Sequence, residues 1–307
     1  MKNIKILITG SNGLLGQKLV KLLSHKTNID LLATSIGENR VQSVTGFNYQ
    51  NLDITSKAQV DSVFNKFNPD VVINTAAMTN VDACENKKEE CINLNVNAVR
   101  NLIEASEKHQ SHLIHLSTDF VFDGANGPYK ETDIQNPLSF YGQSKYEAEK
   151  LVQQAKTKWS IVRTIIVYGV VEDMSRSNIV LWAKQALEKG SPLTIVNDQY
   201  RTPTLAEDLA YACWLIAEKS AEGIYHISGK DYMSILELVN RVADFYGYDK
   251  SIITPVSSSS LNQAAKRPPK TGFVLDKAIK DLGYSPCSFE EGLEIVTNQL
   301  KSLNSNH

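Results

Sequence analysis

A chain of 307 residues, 42% of them hydrophobic, is long enough for one large α/β unit or two unequal domains, each burying a core. Its 32 basic and 34 acidic residues leave a formal net charge of -2 with no basic stripe, which removes the electrostatic reason to expect nucleic acid or a membrane surface as a partner. Cys84, Cys91, Cys213 and Cys287 lack C-x-x-C spacing, so no metal is expected, and no apolar run or leader contradicts a cytoplasmic protein.

The first element is a short buried strand, Lys2 to Thr9, with Ile4, Ile6, Leu7 and Ile8. It runs into Gly10-Ser-Asn12-Gly13-Leu14-Leu15-Gly16 and then a helical run through Leu19, Leu22 and Leu23. Strand, glycine turn and helix is the pattern of a dinucleotide site: Gly10 permits the turn, Gly13 lets backbone approach a pyrophosphate, and Gly16 lets helix and strand pack closely. The diphosphate then lies on the helix N-terminus.

A second strand near 30–35 ends in Thr34 and Ser35, where an NAD site would place an acid for the ribose 2′-hydroxyl. Arg40 follows in the next loop, and a hydroxyl plus a guanidinium suits a 2′-phosphate. The expected cofactor is NADPH, with NADH as the alternative. Glu38 lies too far into the loop to compete.

Further strands near 71–74, 112–117 and 159–163 alternate with helices near 56–67, 89–109 and 141–155. That order predicts a Rossmann-type, doubly wound parallel sheet covered on both faces. Helices near 178–189, 205–218, 234–246 and 289–302, with strands near 193–196 and 223–227, fill the second half. Ser257 to Ser260 reads as a solvated loop. His109, His112 and His115 straddle a helix end and a strand, so they are read as structural or surface residues. Ligands of an open parallel sheet bind beyond the carboxyl ends of the strands, which selects Thr9/Gly10, Ala76/Ala77, Ser117/Thr118 and Arg163/Thr164.

Tyr141-Gly-Gln-Ser-Lys145 places a phenol and an ammonium on one helix face. A phenol with a pKa of about 10 is a poor acid at neutral pH, but a nearby cation favours phenolate. Such a pair can protonate a carbonyl oxygen while hydride arrives at its carbon.

With that glycine spacing, the chain resembles the extended short-chain dehydrogenase/reductase superfamily. Asn74-Thr-Ala-Ala77-Met-Thr-Asn-Val-Asp82, His115-Leu-Ser-Thr118-Asp119-Phe-Val-Phe122-Asp-Gly124, Pro137-Leu-Ser-Phe-Tyr141, Arg163-Thr-Ile-Ile-Val-Tyr168-Gly169, Asn197-Asp-Gln199-Tyr-Arg-Thr-Pro203-Thr204 and Arg267-Pro268 are similar, in order, to the dTDP-4-dehydrorhamnose reductase family. The resemblance implies an NADP-binding domain over 1–163, with later segments returning to it, and a smaller, interleaved α/β substrate lobe over 164–307. It implies reduction of a nucleotide-linked 4-keto-6-deoxysugar by a monomer or homodimer. Tyr141 would be the acid, Lys145 would lower its pKa and hold the nicotinamide ribose, Thr118 would bind the carbonyl oxygen, and Asp119 would contact substrate or assist proton delivery. Asp53 and Ile54 would meet the adenine, Asp53 being equally suited to capping a turn. Asn178, Gln199 and Arg267 would contact the nucleotide-sugar, Arg267 at the diphosphate.

Three departures qualify the resemblance. Phe120 stands where related dehydratases carry a glutamate base, which disfavours dehydration and leaves C4 epimerisation as an alternative chemistry. Ile166 replaces an aromatic residue that would pack on the sugar, and Lys18 replaces a glutamate that bridges a magnesium-linked dimer in some members. The non-catalytic regulatory subunit of methionine adenosyltransferase shares the glycine turn and the Tyr-x-x-x-Lys spacing, so a binding subunit is the other alternative.

Overall fold

The computed structural model describes residues 3–172, 177–261 and 263–305. The chain opens with β1 (Ile4–Thr9), α1 (Leu14–Ser24), β2 (Ile29–Ser35), β3 (Asn48–Asn51), α2 (Lys57–Phe67) and β4 (Val71–Asn74). It continues through α3 (Val81–Asn86), α4 (Lys88–Ile92), α5 (Ala98–His109), β5 (His112–Thr118), α6 (Phe140–Gln153) and β6 (Trp159–Thr164). Next come β7 (Val167–Tyr168), α7 (Ile179–Glu188), β8 (Leu193–Val196), β9 (Tyr200–Arg201), β10 (Thr204–Leu205), α8 (Ala206–Lys219) and β11 (Gly223–His226). The last elements are β12 (Met233–Ser234), α9 (Ile235–Tyr246), β13 (Ile253–Val256), α10 (Asp276–Leu282) and α11 (Phe289–Ser305).

Seven strands pair in the order β11-β6-β5-β4-β1-β2-β3, every pair parallel. Order reverses beside β1, so a crevice opens between the carboxyl ends of β1 and β4, the place where open α/β sheets hold ligands. β4 is buried along its whole length, as a strand covered on both faces must be. One face carries Leu19, Val20 and Leu23 of α1, Leu209 and Ile216 of α8, and Leu282 of α10. The other carries Val60 and Phe64 of α2, Leu102 of α5, and Ala148 and Val152 of α6. A separate apolar cluster joins α7, α9 and α11 to β8, through Leu187, Ile195, Val242 and Leu293.

The helix expected over 89–109 is broken. α4 gives way to one π-helical turn, Asn93–Asn97, before α5 begins. Asn95 supplies the cause: its amide accepts from Met78 N at 2.8 Å and donates to Met78 O at 3.1 Å and Ser144 Oγ at 3.0 Å, anchoring the helix to the β4 loop and α6. The serine run is also more ordered than a solvated loop. Ser258–Ser260 forms a 3-10 turn whose Ser258 N–H and Ser257 hydroxyl donate to Asp198, at 2.9 and 2.7 Å. Among the described residues, no helix is long and apolar enough to cross a membrane, and no group of three or more His, Cys, Asp or Glu is placed to hold a metal ion.

Candidate active site

The glycine turn is shaped by its backbone. Gly10 has φ +73°, and a Cβ there would lie 2.7 Å from Ala76 N, so the β4 loop closes directly on it. A Cβ at Gly16 would collide with the carbonyl of Gly10, so this glycine admits the turn itself against α1. Gly13 is the N-cap of α1 and supplies no side-chain cap, and the first turn carries no acid. The amides at that end are therefore open to an anion, and the diphosphate of a dinucleotide fits them.

Asn12 also anchors the loop after β2. Its side chain donates to Glu38 O at 2.8 Å and accepts from Arg40 N at 3.0 Å, tying the glycine turn to the loop after β2. Tyr49 supports the same loop through a hydrogen bond to Gly37 O at 2.8 Å. Ser35 is half-buried at the end of β2 and Arg40 is exposed beyond it. Leu14 and Leu15 are half-buried in the first turn of α1, and Ala76 and Ala77 line the end of β4. Asp53 Oδ1 accepts from the amide and hydroxyl of Thr55, at 2.9 and 2.7 Å, as a turn aspartate does. Ile54 is buried in the apolar cluster that packs on the sheet.

Tyr141 and Lys145 are both buried on α6 against β5, the first beside Thr118 and the second beside His115. Ser139 caps α6 by accepting from Gly142 N at 3.1 Å, and the buried stripe of this helix runs through Tyr141, Lys145, Ala148 and Val152. A Cβ on Gly142 would strike Phe120 O, so this glycine lets α6 touch the turn that carries Thr118. The Thr118 hydroxyl neighbours the Tyr141 phenol and favours its ionised form. Burial pushes the Tyr141 pKa above the usual range; Thr118 pulls it back and the neighbouring Asp119 pushes it further. Lys145, 2% exposed, is lowered to about 8 by burial, with Glu149 opposing. Its Nζ lies 3.1 Å from His115 Nε2, a contact that the spacing of the histidines does not reveal.

Behind these groups Arg163 and Glu149 form a fully buried ion pair at 2.7 Å. Glu149 also accepts from Ser117 Oγ at 2.5 Å, and Arg163 donates to Glu131 O at 3.3 Å. The pair fastens α6 to β5 and β6, and so fixes where Tyr141 and Lys145 stand.

Beyond the Thr118 turn, charged side chains are already paired with one another. Asp119 is 2% exposed; its carboxylate accepts from Thr118 at 3.1 Å and from Thr271, and lies 3.4 Å from Arg201 Nε. Arg201 also donates to Pro268 O at 2.7 Å and Tyr200 O at 2.8 Å, stitching the 266–271 loop to the turn after β5. It lay unmarked inside a quoted motif. Arg267 grips Asp82 at 2.6 Å, and that guanidinium holds the Asp82 carboxyl below its usual range. Asn178 caps α7 and donates to Gly169 O at 2.7 Å, while Gln199 is buried just before β9. Lys18 is buried in a 2.8 Å pair with Glu207, inside the chain's own packing.

A sheet reversing at a glycine turn that faces a threonine, a tyrosine and a lysine defines the extended short-chain dehydrogenase/reductases, and this chain is one of them. A family model described as the RmlD substrate binding domain matches residues 4–302, and the chain belongs to that family. It is 33% identical over 304 residues to dTDP-4-dehydrorhamnose reductase of Aggregatibacter actinomycetemcomitans, covering 95% of this chain and 98% of the relative. It is also 33% identical over 269 residues to methionine adenosyltransferase 2 subunit beta of Danio rerio, covering 86% of this chain and 80% of the relative. The solved structure of dTDP-4-dehydrorhamnose reductase from Bacillus anthracis in complex with NADP is 27% identical with a TM-score of 0.83, covering 97% of this chain and all of that one.

Proposed function

We propose that the protein is an NADPH-dependent reductase of a nucleotide-linked 4-keto-6-deoxysugar, most simply dTDP-4-dehydrorhamnose to dTDP-rhamnose. When bound, the dinucleotide supplies the hydride. Tyr141 gives its proton to the ketone oxygen, Thr118 hydrogen-bonds the same oxygen, and the Lys145 ammonium stabilises the phenolate left behind. Asp119 acts through Thr118, because its carboxylate is occupied by Arg201 and Thr271. The cluster of α7, α9 and α11 serves as the lobe over the sugar, and Arg267 leaves Asp82 for the diphosphate.

The observation that carries reduction over dehydration is Phe120. Its ring packs edge-on against Tyr141 at 5.7 Å, so a hydrocarbon fills the position from which a base would remove a proton. The test is NADPH consumption by purified protein given dTDP-4-dehydro-6-deoxy-L-mannose, with formation of the 4-hydroxy sugar. The likeness to methionine adenosyltransferase subunit beta supports a second reading, a dinucleotide-binding subunit. Tight NADPH binding without turnover, together with co-purification of a methionine adenosyltransferase, would favour it.

A further inference from the structure

A buried relay ends on the catalytic lysine, and its hydrogen-bond directions are fixed at the far end. Ala76 N–H can only donate, and it donates to Asn74 Oδ1 at 3.2 Å. Thr9 Oγ1 donates to the same oxygen at 2.6 Å. The other end of the amide is therefore NH2, and it donates to His115 Nδ1 at 3.0 Å. An imidazole that accepts at Nδ1 carries its proton on Nε2, the atom 3.1 Å from Lys145 Nζ. Thr9, Asn74, His115 and Lys145 are all buried, so water cannot relieve the contact.

An ammonium has three donors and no lone pair, so it cannot receive that proton. We propose that His115 is a positioning residue that holds Lys145 as a neutral amine, and that uptake of a proton breaks this hydrogen bond and returns the lysine to its ammonium form. This rests on the reductase reading for its consequence in turnover, but the hydrogen-bond assignment stands without it. The other ionisable groups that act on Lys145 are Glu149 on α6 and Cys91 on α4. Glu149 and Cys91 favour the charged lysine, and burial together with the His115 donor favours the amine. The amine form fills as pH rises through about 8, so the relay sets the alkaline limit of activity.

The first test uses the unmodified protein. Nitrogen-15 NMR of histidine-labelled enzyme, without cofactor and at mildly alkaline pH, should show His115 neutral with its proton on Nε2. A proton on Nδ1, or an imidazolium, would overturn the proposal, and this readout is independent of any turnover. The second is the pH profile of kcat/KM in His115→Leu. Loss of the donor should move the alkaline limb upward by roughly 0.5–1 pH unit, the worth of one neutral hydrogen bond. An unmoved limb in a folded, active variant would also overturn it. Failure of every keto sugar to turn over would instead strike the reductase reading and leave the NMR result to decide this one.

Discussion

The two walls of the crevice are built differently. The wall beneath α1 is shaped by backbone: Gly10 presses on Ala76, Gly16 on the turn, and the helix end lacks a cap. The facing wall is shaped by side chains that satisfy one another, Arg267 with Asp82 and Arg201 with Asp119. A backbone wall is formed before its ligand arrives, whereas on the proposed reading a wall of paired charges exchanges partners when a diphosphate enters. Dinucleotide binding should therefore be sensitive to added atoms, and sugar-nucleotide binding to the strength of internal ion pairs.

The largest effect is expected where the walls meet. Tyr141→Phe removes the proton donor and should lower kcat/KM by about 10²–10⁴-fold, with NADPH affinity kept, as read by fluorescence titration. On the charged wall, Arg201→Met leaves Asp119 buried with its cation gone. Such unpaired burial costs about 3–5 kcal/mol, visible as a lower urea midpoint, and Asp119→Asn in the same background should recover part of it. On the backbone wall, Gly10→Ala forces a left-handed alanine against Ala76 and should weaken NADPH binding by roughly tenfold or more, at a strain of about 1–3 kcal/mol. The smallest effect is expected from Asp82→Asn. This half-exposed pair is worth about 0.2–1 kcal/mol, so releasing Arg267 should lower KM for the nucleotide-sugar by at most about fivefold and leave kcat unchanged. A raised KM would mean that Asp82 positions Arg267 instead of competing for it.

The same contrast governs what could be read from sequence. The strand, glycine turn and helix were legible because their spacing is local and their backbone reasons are strict. Tyr141 and Lys145 were legible because one helix carries both. The π turn was not, since it depends on Asn95 reaching Met78 across the fold. Arg201 and His115 were in view as residues, but their roles come from contacts with Asp119 and Lys145, which no spacing encodes. For Arg267, sequence gave a chemical type suited to phosphate; the partner it holds instead, Asp82, stands 185 positions away.

The central claim is that Tyr141 and Lys145 serve hydride transfer to a sugar ketone, and the most direct measurement follows the hydride itself. The purified protein would be given dTDP-4-dehydro-6-deoxy-L-mannose and NADPH deuterated at its transferable position. The product is predicted to carry deuterium on C4 of the sugar, formed in step with NADPH loss and absent with Tyr141→Phe. An unlabelled sugar recovered unchanged beside intact, tightly bound NADPH would contradict the account.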